Sequence, residues 1–180
     1  MKHEVDAVAG SEFSMTLAAT TSTIAAGNIV GAAAAASTQF ALSNPLGSGV
    51  VLVLSKLIIG IISGTPAPGS IFHGLIPNVP TLAASGTIVP SRAGGAGSRA
   101  KGYASAGGAA LTGGLAPAIQ RASSLTTTGT AQASPGIVNG LEDIDGDIVI
   151  PTGYTWVPLW STAGTTLLNA YTISWKERAG

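Results

Sequence analysis

The run from Asp147 to Glu177 constrains the fold more than any other stretch. It holds all three tryptophans and two of the three tyrosines, and its apolar residues recur with period two. Asp147-Ile-Val-Ile-Pro-Thr-Gly reads as a strand stopped by Pro151 and turned at Gly153. Tyr154, Trp156 and Trp160 then share one parity, and Val157 and Leu159 the other. Pro158 lacks an N–H, so it places this strand at an edge or a bulge. Ala163-Gly164 turns the chain again. In the last strand Leu167, Tyr171, Ile173 and Trp175 point one way; Leu168, Ala170, Thr172, Ser174 and Lys176 point the other. Alternation of this kind belongs to strands with one buried face, so the run is expected to close a β-sandwich with Leu167, Tyr171, Ile173 and Trp175 inside.

Upstream, short apolar runs are separated by Gly and Pro turn signals. Phe40-Ala-Leu-Ser-Asn-Pro reads as a strand ending at the Asn44-Pro45 turn. Val50 to Ile62 is apolar at both parities, which predicts a strand covered on both faces, or two strands joined by a bulge near Ser55-Lys56. The outer cover would be a loop or an adjacent subunit. Ile71 to Ile76, Thr87 to Pro90 and Ser124 to Ala131 are further strand candidates. Residues 91–116 are Gly-rich and read as a loop. Ala32 to Ala36 has helical propensity over a short span. Eight or more strands with Gly/Pro turns predict an all-β, antiparallel β-sandwich, with a jelly roll as the first choice. The expected division is an N-terminal arm over 1–37, extended or partly helical, and a sandwich domain over 38–180.

Composition narrows the function classes. A chain of 180 residues suits one domain with a real core. Charged residues make up 9%, against about 25% in ordinary soluble proteins. The formal net charge is zero and there are 25 glycines. Weak charge removes the repulsion that keeps monomers apart, so association is expected. Absence of cysteine excludes disulfides and thiolate metal sites. Met1-Lys-His-Glu-Val-Asp is mixed in charge with no apolar run after it, so no signal peptide is expected. Val50 to Ile62 is shorter than the roughly 20 residues of a membrane-spanning helix. Lys56, Arg92, Arg99, Lys101 and Arg121 are too dilute for a nucleic-acid groove. Arg92, Arg99 and Lys101 do lie close together, as solvated charges or as a match for a neighbouring subunit's acidic cluster.

Candidate chemistry is sparse. Asp143-Ile-Asp-Gly-Asp147 begins like a calcium loop, but Ile148 and Tyr154 stand where that loop needs Gly and Glu. The bland reading is a solvated turn on Asp145-Gly146. His73 lies within an apolar strand, with every acid remote in sequence and no nucleophile elbow. Gly94-Gly-Ala-Gly-Ser lacks the Lys-Ser/Thr ending of a phosphate loop. No catalytic, cofactor-binding or metal-ligating residue is assigned, and no cofactor or enzymatic activity is expected.

Three segments carry a resemblance. They are Phe40-Ala-Leu-Ser-Asn-Pro-Leu-Gly-Ser-Gly-Val-Val-Leu-Val-Leu-Ser-Lys, Leu141-Glu-Asp-Ile-Asp-Gly-Asp-Ile-Val-Ile-Pro-Thr-Gly, and Ala163-Gly-Thr-Thr-Leu-Leu-Asn-Ala-Tyr-Thr-Ile-Ser-Trp-Lys-Glu. They resemble small jelly-roll virion proteins of tailed bacteriophages, whose pattern runs F-A-L-x-N-P, G-K-N-L, D-G-x-I-x-I-P-P-G and T-S-W-E-E. Val50 and Val51 depart from the polar pair of that pattern. The resemblance implies a capsid decoration, or cement, protein on the virion surface. It would act as a homotrimer that bridges major capsid protein subunits, with neither nucleic acid nor membrane as a partner. The alternative is a tail or fibre module that binds host-surface glycans or a receptor, with Trp156 or Trp160 as stacking platforms. A polysaccharide-directed enzyme ranks last for want of an acid/base pair.

Overall fold

The computed structural model describes residues 11–22, 40–65, 69–77, 86–91, 93, 95–104, 118–127, 138–160 and 165–180. Their strands are β1 (Glu12–Ser22), β2 (Phe40–Asn44), β3 (Val50–Thr65), β4 (Gly69–Ile76), β5 (Ile88–Pro90), β6 (Lys101–Ala104), β7 (Ala118–Thr127), β8 (Val138–Asp143), β9 (Val149–Ile150), β10 (Tyr154–Trp160) and β11 (Thr165–Ala179). Sheet A runs β5-β1-β11-β3-β8, with β9 also on β3; sheet B runs β6-β2-β10-β4-β7. Every pairing is antiparallel. β5 and β6 only widen one edge. Among the rest, β1 pairs with β11, β2 with β10, β3 with β8 and β9, and β4 with β7. A long hairpin rolled up in this way is a jelly roll.

The resemblance segments are joints of this roll. Asn44, fully buried at the end of β2, donates from Nδ2 to the carbonyls of Val50 (2.8 Å) and Ile150 (3.0 Å). Its Oδ1 accepts from the Ser48 hydroxyl at 2.7 Å, and its carbonyl accepts from the Gly153 N–H at 2.7 Å. One amide therefore ties sheet B to two strands of sheet A. Further on, β8 and β9 are one interrupted strand along β3. Asp143 faces Lys56 and Val149 faces Val53, so residues 144–148 stand against Leu54 and Ser55 alone. The surplus is extruded as a loop latched by Ile144 and Asp145 N–H to the Ser55 carbonyl and Gly146 N–H to that of Leu54. Its tip is the expected tight turn: Asp145 and Gly146 both have positive φ (44° and 92°), and Asp147 N–H donates to the Ile144 carbonyl.

The doubly apolar run resolves into a phase change. β3 skips Ser55 in its register with β11, since Ser174 faces Lys56 and Trp175 faces Leu54. This is the expected bulge, and it reverses which parity points inward. Leu52 and Leu54 before it, and Leu57 and Ile59 after it, all enter the core, while Val51, Val53 and Ile58 stay half-buried on the outer face. Phe40 stacks on Tyr171 (5.3 Å, 16°) and meets Trp156 edge-on (6.3 Å, 85°), and Phe13 stacks on Trp175 (6.0 Å, 28°). Such pairs add about 0.5–1.5 kcal/mol each beyond area burial. Sheet B has a second apolar cluster of opposite parity, built on Ala41, Ile76, Tyr103, Val157 and Leu159.

Several expectations shift. The arm over 1–37 contains β1, which lies between β11 and β5 in sheet A. Phe13 and Met15 give that strand an inward row and bury 98–99% of their surface, too few large residues to stand out in the sequence. Residues 1–10 and 23–39, including the Ala32–Ala36 helix candidate, lie outside the described residues. The Gly-rich loop contains β6, and the candidate strand at 124–131 starts earlier, as β7. Pro158 lies beyond the β2–β10 pairing, which ends at Trp156, so β4 is its paired neighbour there. Lys176, expected outside, is buried, whereas Tyr171, Ile173 and Trp175 are inward as expected. The side chain of Leu167 lies outside those described.

Opposite edges of the sandwich close differently. At the β5–β6 edge, the Gly86 N–H donates to the Gly102 carbonyl at 3.0 Å. A Cβ on Gly86 or Gly102 would sit 2.3 or 2.0 Å from the Met15 sulfur. Gly102→Ala is therefore expected to displace buried Met15 and lower stability by about 1–3 kcal/mol. Asn44→Ala, which removes both amide hydrogen bonds from β2 to sheet A, is expected to cost about 1–3 kcal/mol. Urea denaturation of both variants measures these losses.

Candidate functional site

The other edge is closed by side chains. β7 ends sheet B and β8 ends sheet A, with no backbone ladder between them. Across this gap Glu142 of β8 points inward. Its phase is set by its neighbours: positions 142, 144, 148 and 150 are buried, while 141, 143, 145, 147 and 149 are exposed. The Glu142 carboxylate is 1% exposed. Its Oε2 accepts from His73 Nε2 at 3.0 Å and from the Ser123 hydroxyl, and its Oε1 accepts from Arg121 Nη2 at 2.9 Å. Arg121 donates from Nη1 to Asp147 at 2.5 Å. One acid of the 144–148 loop is thus drawn into the same network.

His73, on β4, is fully buried. Trp156 of β10 donates its indole N–H to His73 Nδ1 at 3.1 Å, with the two rings 5.9 Å apart. An N–H aimed at Nδ1 requires a lone pair there, so the proton sits on Nε2, which donates to Glu142. Burial is the largest influence on His73 and holds its pKa below the ordinary 6.5; the Glu142 hydrogen bond and charge oppose this, and Arg121 reinforces it. The imidazole is neutral at pH 7.

Ser, His and Glu side by side invite comparison with a nucleophilic triad, but the connectivity differs. Ser123 bonds the carboxylate, not the imidazole, and both ring nitrogens of His73 are occupied. No base faces the hydroxyl in the order a Ser–His–acid relay needs. The arrangement is a buried inter-sheet brace. Its members are far apart in sequence, which is why His73 looked isolated. The legible signal was the phase of Glu142, in step with Ile144, Ile148 and Ile150.

The other sequence candidates are placed apart. Asp143, Asp145 and Asp147 are exposed, and among the described residues no group of three or more His, Cys, Asp and Glu side chains would hold a metal. Arg99 donates to the Ser48 carbonyl at 2.8 Å, Lys101 is exposed on β6, and Arg92 lies outside the described residues. The loop before β6 is pinned by Glu177, whose Oε1 accepts from the Ser98 hydroxyl (2.5 Å) and the Arg99 N–H (2.9 Å). Trp156 is fully buried, so it offers no stacking platform, and the Trp160 side chain lies outside those described.

The outer face of sheet A is the remaining candidate. Val51, Val53 and Ile58 of β3 are half-buried there. Beside them Leu141 faces Ile58 and is 56% exposed, and Val149 faces Val53 and is 43% exposed. A cleft of about 490 Å³ adjoins this row, lined by Val53, Ser55, Asp145, Lys176 and Arg178. Comparison with known proteins finds no matching family model, no matching curated protein and no matching solved structure.

Glu142→Leu removes the carboxylate that His73, Ser123 and Arg121 share and is expected to cost about 3–5 kcal/mol. Asp147→Ala, at the solvent end of the same network, is expected to change stability by less than about 1 kcal/mol. Chemical denaturation of the two variants side by side measures the contrast.

Proposed function

We propose that this chain is a structural protein of a phage virion, a capsid decoration protein that binds assembled major capsid protein as a homo-oligomer. The observation that carries the reading is the apolar row of Val53, Ile58, Leu141 and Val149 on the face of sheet A turned away from the core. Leu141 and Val149 stay 56% and 43% exposed although large and apolar, and exposed apolar surface is where partners dock. The 9% charge content supports it, because little repulsion opposes close association. The jelly roll is the fold that the resemblance implies. Its three segments supply structural joints, with Asn44, the Asp145-Gly146 turn and Trp175 all serving the roll.

Mechanically, a decoration protein needs area and repetition. Buried apolar surface contributes about 25 cal/mol per Å², and linked copies on a lattice raise the effective affinity without new contacts. The alternative, a tail module that stacks glycans on tryptophan, has lost Trp156 as its platform. The trimeric state and the capsid location belong to this proposal.

Leu141→Glu with Val149→Lys is expected to abolish sedimentation with capsids while leaving the thermal midpoint within a few degrees of wild type, since both side chains are solvent-facing. Native mass spectrometry and co-sedimentation with assembled heads measure this. A stable monomer that ignores capsids would overturn the reading.

A further inference from the structure

The buried cluster contains a group that ordinary acid can titrate, at the one edge of the sandwich that backbone bonds do not close. His73 is surrounded on all sides. β8 offers Glu142, β7 offers Arg121 and Ser123, and β10 offers the Trp156 N–H; Asp147 stands behind Arg121. A proton arriving at Nδ1 turns the Trp156 contact into two donors facing each other. Glu142 attracts the resulting imidazolium, but burial and the nearby Arg121 guanidinium oppose it, so the proton is held more easily once the edge opens to water. The backbone at this edge is lightly held. β8 pairs with β3 alone, and β7 with β4 alone.

We propose that the His73–Glu142 cluster is an acid-opened clasp: protonating His73 frees β8, with the 144–148 loop, from β7, while β1, β11 and the first half of β3 stay folded. The sign follows from linkage. The His73 pKa is lowered in the folded chain, so the fold's contribution is complete above the ordinary value of 6.5. It is lost as pH falls from there through the folded value, because the unfolded or opened chain takes up the proton first. Opening stays local because the freed strand has one backbone partner, whereas β11 is paired on both sides. Release of β8 also lifts Ile144 and Ile148 from the core, so the opened form presents new apolar surface. The clasp does not depend on the capsid reading; it would operate in any setting where the protein meets acid.

Amide hydrogen exchange on the full chain, expressed as protection factors at about pH 7.5 and about pH 5, tests this. Protection over 138–143 and 118–123 is expected to be lost selectively at the lower pH. Protection over 50–54 and 171–177 is expected to hold. His73→Gln keeps a donor toward Glu142 but takes no proton, and should flatten the pH dependence. Trp156→Phe removes the N–H that guards Nδ1. It should raise the opening midpoint by about half to one pH unit, the worth of one hydrogen bond. Equal protection at both pH values, simultaneous loss in every strand, or an unchanged pH dependence in His73→Gln would overturn the proposal. Should the Gln variant fail to fold, an unshifted midpoint in Trp156→Phe does so instead.

Discussion

Apart from the fold-back at β4 and β7, which pair within sheet B, successive main strands of the rolled hairpin lie in opposite sheets, so side chains and loops must join the sheets. In this protein a single buried carboxylate, Glu142, does that at one edge. It gathers donors from β4 and β7 onto an acceptor from β8. An ion so deep in the molecule is tolerable only because every oxygen has partners and Arg121 balances its charge. The β5–β6 edge uses another solution, two glycines close enough for a direct backbone bond over Met15. At the end of β2, Asn44 spans the sheets with its amide. Three joints of different chemistry define where sheet A meets sheet B, and the aromatic stack of Phe40, Tyr171 and Trp156 fills the space between them.

Much of this was legible in the residues. Period-two alternation in Tyr171, Ile173 and Trp175 assigned the inner face of β11, and turn chemistry at Asn44-Pro45 and Asp145-Gly146 marked real turns. The run from Val50 to Ile62 was ambiguous for a physical reason. A bulge at Ser55 reverses the phase, so a strand with one main core face looks apolar on both. β1 escaped because its inward row is only Phe13 and Met15 among small residues. Lys176 follows the outward parity yet is buried, and period alone does not reveal what lies over an outer face.

The candidate site was hidden by distance in sequence. His73, Arg121, Ser123, Glu142 and Trp156 come from four strands, and nothing local links them. Glu142 was also masked by its acidic neighbours. It is the one acid in that cluster whose phase turns inward, while Asp143, Asp145 and Asp147 face water. Glu142, His73, Arg121 and Ser123 hold the roll closed, and the outer face of sheet A carries Val53, Ile58, Leu141 and Val149 beside the polar Lys56, Thr172 and Ser174.

The central structural claim is that the two sheets are held together at the β7–β8 edge through Glu142. A double-mutant cycle between Glu142 and Arg121, read by urea denaturation at neutral pH, tests it most directly. A coupling energy of about 0.5–3 kcal/mol is expected, the range for groups sharing one network. Additive effects, with coupling near zero, would contradict it.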